Sequence, residues 1–470
     1  MQKVFDEVNS LDKRCYEEYA LNEDILMEHA ANSMYQFIKN KFSSNITILI
    51  VCGSGNNGAD GITLGRLLYK QFNVKLYIPF EVKSKMAKLQ LKRVKLLGVD
   101  IVSKVTEVDL IVDCLYGSGL TRDFDEKTNK IIEKLNKTDG YKLSCDIPSG
   151  LNNNGSINTT IFKADTTITM GALKKNLFND NVKNYVGDII VANLGVQREV
   201  YESNTNTYLL DKEDLKLPIR DDKNTHKGSF GHLCVIVGDK KGAGVLCADS
   251  GFHFGAGLVS IISHSNFDIP YHIMHSHKIP NNTTAIALGM GLGNYEQKEI
   301  VKILKSKTAK VIDADLFYSL DILEILNQKN VVLTPHPKEF CSLLKLLEIE
   351  DVDIKTLQDN RFKYVELFCK KYPNIVLLLK GSNVLIGKEG KIYINNNGSA
   401  KLSFGGSGDI LAGLIASLLA QGYNSLDSAI CGSLAHTLAA SNYNGNDYSL
   451  TPIDLIEQIK YLNKTTIKKI

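Results

Sequence analysis

The feature that most limits how this chain can fold is a succession of short apolar runs separated by helical patterns, occurring twice. In the first half, β-rich runs at 46–52, 74–78, 108–113, 142–145, 166–170 and 188–192 alternate with amphipathic helical stretches at 61–69 and 83–97 and a shorter one at 126–136. Runs this apolar need cover on both faces, which predicts a parallel sheet between two layers of helices. A polar stretch at 210–231 then shows no periodicity. A second series opens at 233–237 and continues through 258–262, 285–288, 310–312, 331–333 and 375–379. It closes with a hairpin at 384–386 and 391–394 and a helical end. At 470 residues the chain exceeds one ordinary core, and two domains of about 200–250 residues each are expected. The expected fold class is therefore α/β in both parts, divided as 1–212 and 213–470. The two series carry different loop chemistry, so they are not a repeat.

Composition narrows the function. A net charge of +3 is nearly balanced for this length and gives no reason to expect nucleic acid or a charged membrane as partner. The first twenty residues carry charge throughout and no apolar core of a secretory signal. The longest strongly apolar helical stretch, 410–420, is far shorter than the ~20 residues that span a bilayer. Nine cysteines, an odd number with no CxxC spacing, point to reduced thiols and a cytoplasmic location.

Chemistry concentrates where strands end. The first strand runs into Gly53-Ser54-Gly55-Asn56-Asn57-Gly58-Ala59-Asp60-Gly61. Such a loop lets backbone N–H groups surround an anion, with the positive end of a helix behind them. Asn56, Asn57 and Asp60 add oxygens suited to a sugar or a cation. The third strand exits into 113–123, from Asp113 through Gly117, Ser118 and Gly119 to Asp123, and the fourth into Asp146-Ile147-Pro148-Ser149-Gly150. In a parallel sheet these exits share one edge and can converge. A nicotinamide dehydrogenase would need only the first loop and an acidic residue after the second strand. Glu81 is displaced past Pro79, and a second glycine loop lies outside that pattern.

In the second half, Gly405-Gly406-Ser407-Gly408-Asp409 opens the apolar helical run. Backbone N–H groups there form an anion hole, and Asp409 in the first turn can accept a hydroxyl proton beside a transferring phosphoryl group. The bland alternative is a first-turn acid complementing the helix dipole. No GxxxxGK[ST] loop occurs, which disfavours a P-loop kinase.

With these motifs in order, the chain resembles the bifunctional NAD(P)H-hydrate repair enzymes. GSGNNGADG, DCLYGSGLTRDF and DIPSGL resemble the epimerase domain, Rossmann-like, over residues 1–212. GGSGD, together with LTPHPKEF at 333–340, KGSNV at 380–384, VIDADL at 311–316 and GMGLG at 289–293, resembles the ribokinase-like ADP/ATP-dependent dehydratase domain. The resemblance implies that Asn56, Asn57, Gly58, Ala59 and Asp60, with Gly117, Ser118, Gly119, Leu120, Thr121, Arg122 and Asp123, hold the hydrated dinucleotide in the first domain. It implies K+ ligation by Asn57, Asp113 and Ser149, and proton transfer by Asp146, which faces the substrate. In the second domain it implies hydrate contacts from Ala243, Gly291, Gly293, His336 and Asp409. Adenine-nucleotide contacts would come from Lys380, Gly381, Ser382, Asn383, Val384 and Gly408, with ADP or ATP as co-substrate and Mg2+ accompanying it. Asp409 is the expected base of that step. A homo-oligomer acting only on small molecules is expected, because ribokinase-like domains often assemble.

The chain departs from that pattern in places. Gly238 to Ala243 is a shortened loop, Met290 stands where proline is common, and 397–404 replaces the usual approach to the catalytic loop. The other reading of His336 is a cap of the following helix. His264, His272, His275 and His277 match no zinc spacing and read as a solvated loop. The competing function is a vitamin-type kinase of ribokinase-like fold with a non-catalytic N-terminal binding module.

Overall fold

The computed structural model describes residues 1–119 and 123–463. The chain divides into two compact units, one spanning Lys3–Thr205 and the other running from Asn206 onward with Met1–Gln2. Strand Thr207–Leu209 pairs with Lys391–Asn395 and so belongs to the second unit. The polar stretch that follows it, within 210–231, forms only short 3-10 turns such as Lys212–Asp214 and Lys227–Phe230.

In the first unit, seven parallel strands lie in the order Asp100–Val102, Asn73–Tyr77, Thr47–Cys52, Leu110–Cys114, Tyr141–Cys145, Thr166–Met170 and Asp188–Ala192. The strand alternation sorts the core. Ile48, Ile50 and Cys52 face a layer that includes Ala31, Met34, Ile38, Ile62 and Leu68. Leu49 and Val51 face Ile131, Ile132 and Leu135 of helix Glu126–Lys137. That helix begins where Asp125 accepts from Thr128 N at 2.7 Å, and helix Lys85–Leu97 where Ser84 accepts from Ala87 N at 3.0 Å. After strand Thr47–Cys52 the chain builds outward to Asn73–Tyr77, then returns to the other side at Leu110–Cys114. The two loops leaving this switch point splay apart and open a crevice between them.

One helix differs from expectation. The stretch expected at 61–69 is helix Asn56–Leu68, which begins directly after the glycine turn. Three glycines inside it, Gly58, Gly61 and Gly65, weaken its propensity, but packing requires them. A Cβ on Gly58 would stand 2.0 Å from the Gly53 carbonyl oxygen, and one on Gly61 2.7 Å from the Cys114 side chain.

The second unit orders its strands as Met274–Ser276, Leu258–Ile262, His232–Ile236, Ala285–Leu288, Ala309–Ile312, Val331–Leu333, Val376–Leu379, Val384–Lys388, Lys391–Asn395 and Thr207–Leu209. Pairing is parallel as far as Val376–Leu379, and the hairpin strand Val384–Lys388 is antiparallel to both neighbours. Strand His232–Ile236 marks the switch here, with Leu258–Ile262 on one side and Ala285–Leu288 on the other. Helix Ser407–Ala420 is apolar nearly all round because it is enclosed, packing on helices Lys241–His253 and Ser425–Asn442. The edge strand Met274–Ser276 escaped sequence reading, since its residues carry no apolar run. All nine cysteines are free thiols, eight of them buried. Among the described residues no helix is long and apolar enough to cross a membrane.

Candidate active sites

In the first unit the three strand exits meet around a cavity of about 590 Å³. Asn56, Asn57 and Asp60 reach it from the first turns of helix Asn56–Leu68, and Gly117, Ser118 and Gly119 border it from the opposite loop. Gly58 and Ala59 are buried behind that helix face, while Asp123 is exposed and outside the cavity lining. The expected contacts Leu120, Thr121 and Arg122 lie outside the described residues.

Asp146 lies at the base of this cavity with φ +71°, a conformation that a side chain other than glycine adopts only under constraint. Its carboxylate supplies the constraint. One oxygen accepts from Lys174 Nζ at 2.6 Å and Met170 N at 3.2 Å, and the other from Ser118 N at 3.1 Å. Lys174 is itself buried and also donates to Thr169 Oγ1 at 2.9 Å. Burial opposes the Asp146 charge, but the Lys174 ammonium and these donors together hold its pKa below the usual carboxylate value. Two further carboxyls border the cavity with the opposite shift. Burial pushes Asp60 well above its ordinary value, assisted by the Asp146 charge. Burial also raises Asp12, against a hydrogen bond of 2.7 Å from the Tyr201 hydroxyl. One ionised carboxylate paired with an ammonium thus stands beside two carboxyls that hold protons more readily.

Beside this group, Asp113 is fully buried. It accepts from Ser149 Oγ at 2.7 Å, Ser149 N at 2.8 Å and Leu115 N at 3.1 Å. Burial raises its carboxyl to about 6, against those hydrogen bonds, and no cationic side chain is among the groups acting on it. A Cβ on Gly117 would stand 3.0 Å from Asp146 Oδ2 and 3.1 Å from Asn57 Oδ1. The Asn57 amide nitrogen is buried without a hydrogen-bond partner.

In the second unit, Gly406 at φ +101° starts helix Ser407–Ala420, and its missing side chain lets the chain turn beneath Leu246 and Pro452. Ser407 Oγ lies 3.2 Å from His436 Nε2. Burial lowers His436 to about 4, so that contact involves a neutral ring at pH 7. Asp409 occupies the first turn, partly buried. Burial and then the Asp313 charge push it up to about 6, with Lys380 opposing. Lys380 Nζ is 2.8 Å from Asp313 Oδ1 and 3.9 Å from Glu339 Oε2. Burial opposes its charge, yet Asp313 and Glu339 hold Lys380 above the usual lysine value. A Cβ on Gly408 would stand 3.5 Å from that ammonium. The helix mouth, the lysine and three carboxylates therefore share one locus.

Arg361, fully buried, supports the adjoining loop by donating to the carbonyls of Leu379 (3.3 Å), Lys380 (3.0 Å) and Asn383 (2.8 Å). Gly381 and Ser382 complete that loop, and Val384 opens the following strand. His336 is the N-cap of helix Pro337–Leu346, its Nδ1 accepting from Glu339 N at 3.2 Å and its Nε2 3.1 Å from Glu339 Oε1. Gly291 abuts Lys240, Gly293 abuts the Asp239 carboxylate, and Ala243 lies in the first turn of helix Lys241–His253.

Comparison with known proteins gives this geometry a family. A family described as NAD(P)H-hydrate dehydratase matches residues 233–461, and one described as YjeF-related protein N-terminus matches 23–176. The bifunctional NAD(P)H-hydrate repair enzyme of Helicobacter pylori is 44% identical over 475 residues, covering 98% of this chain and 100% of that one. The chain belongs to that family. The repair enzyme of Dictyoglomus turgidum is 32% identical, covering 96% of each chain. Among solved structures, the ADP/ATP-dependent NAD(P)H-hydrate dehydratase from Bacillus subtilis, co-crystallized with ATP/Mg2+, aligns with a TM-score of 0.47 and 22% identity over 55% of this chain and 98% of that one.

In this hydrate repair enzyme the sequence motifs come together at two loci, but they leave out residues that charge or support those loci. Lys174 and Asp12 lie outside the three glycine motifs, and Arg361 sits in a helix with no loop signal. A lysine pair following an apolar strand, 166–175, was the only trace of the first. Of the four clustered histidines, His264 pairs with Glu299, while His275 and His277 contact each other. Only His272 enters a three-residue cluster, with Asp249 and His253.

Proposed function

We propose that the first unit interconverts the R and S hydrates of NADH or NADPH and that the second dehydrates the S hydrate at the expense of ADP or ATP. The observation that carries the reading is the convergence of Asp409, raised to about 6, with Lys380 and Asp313 at a glycine-opened helix N-terminus. Ionised Asp409 takes the proton of the ring hydroxyl while its oxygen attacks the terminal phosphorus, and the shortened nucleotide leaves. The C–O bond then breaks, phosphate departs with the electron pair, and loss of a neighbouring ring proton restores the dihydropyridine. Helix N–H groups and Lys380 face the negative charge that develops on the phosphoryl oxygens. The loop 380–384, held by Arg361, receives the adenine nucleotide. Ala243, Gly291, Gly293 and His336 bound the hydrate, with His336 doing so from a cap position. Carboxylates near Lys380 suit an accompanying Mg2+, which neutralises phosphate charge when bound.

In the first unit the hydrated carbon carries both a hydroxyl and the ring nitrogen. Ionised Asp146 accepts the hydroxyl proton as the carbonyl forms, the C–N electron pair goes to the ring nitrogen, which takes up that proton, and reclosure on the other face reverses both transfers and inverts the centre. Lys174 holds Asp146 charged and oriented for this. Asn56, Asn57 and Asp60, with Gly117, Ser118 and Gly119, border the dinucleotide. Asp113, a buried carboxylate acted on by no cationic side chain, with Ser149 and Asn57 nearby, fits the oxygen set of a K+ ion. Such an ion supplies positive charge to the loop that carries Ser118. A cytoplasmic homo-oligomer acting on small molecules, without nucleic acid, completes the proposal, and nine free thiols support the reducing compartment.

The test follows phosphorus. With S hydrate and ADP, the reaction should release inorganic phosphate in step with dihydronicotinamide. Accumulation of a stable phosphorylated product would favour the vitamin-type kinase instead.

A further inference from the structure

In the second unit, away from the helix mouth, a side-chain cluster has a composition that neither half-reaction uses. Asp249 and His253 are four residues apart on helix Lys241–His253, so they share one face. The loop after strand Leu258–Ile262 returns His272 over that face. His272 Nε2 lies 2.7 Å from Asp249 Oδ1, and His253 Nδ1 lies 3.4 Å from the same oxygen. One ligand atom from each residue lies within 4.8 Å of the other two. The rings of His253 and His272 stand nearly perpendicular with centroids 5.7 Å apart, and His272 leans on Phe252 at 4.6 Å.

We propose that Asp249, His253 and His272 form a binding site for a divalent transition cation of the zinc class. Two imidazoles and one carboxylate are the borderline donors such ions prefer over Ca2+ or Mg2+. His253 Nδ1 now lies 3.0 Å from the Asp249 carbonyl oxygen, and side-chain rotations that exchange this contact for the ion bring the donors onto bonds of about 2.0–2.2 Å. The cation takes the place of the hydrogen bond between His272 and Asp249, and His253 joins it from the helix C-terminus. The site is open to solvent, with the His272 side chain 37% and that of His253 33% exposed, so an ion can enter and a water can take the fourth position. Phe252 limits the rotamers of His272, which reduces the ordering cost of closure. Occupation would pin the otherwise irregular segment 264–273 to the helix whose first turn carries Ala243.

The test is a zinc titration of the full chain after removal of metals by chelation, in competition with a chromophoric chelator. The single partly exposed thiol, Cys341, is replaced by serine throughout. One equivalent of Zn2+ should bind, and His272→Ala and Asp249→Asn should each weaken it at least about tenfold. The combined replacement of His264, His275 and His277 by alanine should leave the affinity unchanged. Co2+ should give visible bands of nitrogen and oxygen ligation without a thiolate charge-transfer band. Circular dichroism identical to the parent separates lost ligation from misfolding in these variants. Absence of a stoichiometric site, affinity indifferent to His272→Ala and Asp249→Asn, or a thiolate spectrum would overturn the proposal.

Discussion

At the scale of single residues, the two proposed catalytic carboxylates sit in opposite electrostatic states. Asp409 is destabilised as an anion by burial and by Asp313, and reaches about 6. Its folded-state value lies above the ordinary 3.8, so the native state holds the proton more tightly and loses stability as pH rises between those values. Asp409→Asn should therefore raise unfolding free energy at pH 8 by up to about 3 kcal/mol, a gain that vanishes below pH ~4. The same substitution should lower dehydration by about 10²–10⁴-fold, and wild-type dehydration should rise with pH through about 6 as Asp409 ionises. Chemical denaturation at the two pH values and a pH–rate profile check both. Asp146 is the reverse, an anion held by Lys174. Lys174→Met strands a buried carboxylate and should cost the first unit about 3–5 kcal/mol in thermal unfolding experiments. Epimer exchange followed by NMR should fall with it. The carboxylates were legible in the sequence because each ends a strand or opens a helix. Lys174 was not, because its pairing with Asp146 joins positions 28 residues apart across a turn that no local pattern encodes.

At the scale of elements, the strand runs were readable because an apolar run covered on both faces has no other use. Helix starts were less readable. The stretch Asn56–Leu68 looked like loop at its beginning, since Gly58 and Gly61 oppose helix formation. Tertiary contact reverses that reading, because the turn at Gly53 approaches Gly58 too closely for any side chain. Gly58→Ala should therefore force the turn apart, cost at least about 1–3 kcal/mol and abolish epimer exchange. Dehydration of purified S hydrate should be unchanged in the same sample. Arg361 presents the second case of hidden support. At the first position of helix Arg361–Lys371 it reads like any charged helix residue, yet it holds three loop carbonyls. Arg361→Met should raise KM for ADP by about tenfold or more while changing kcat less, as loss of one such anchor is worth about 1.5–3 kcal/mol. Equal loss in both constants would show that the loop does more than bind. The edge strand Met274–Ser276 was illegible for a simpler reason. Its pairing is backbone hydrogen bonding to Leu258–Ile262, and its three side chains are exposed or half exposed, with no apolar alternation.

At the scale of the whole molecule, two α/β units each gather their site residues beyond the carboxyl ends of their own strands, and full-length similarity places the chain among the bifunctional repair enzymes. Joining them is economical because hydrates form as both epimers and dehydration takes one. The activities should separate cleanly by mutation. Asp146→Asn should leave nucleotide-dependent dehydration intact but stop after the S hydrate is spent. The Asn variant at position 409 should exchange epimers normally and restore nothing. The most direct measurement mixes both epimers of NADH hydrate with the full chain, with and without ADP, and follows dihydronicotinamide absorbance. Complete recovery that requires nucleotide, halts near half in Asp146→Asn and is absent in Asp409→Asn is the predicted result. Recovery without nucleotide, or undiminished recovery in Asp409→Asn, would contradict it.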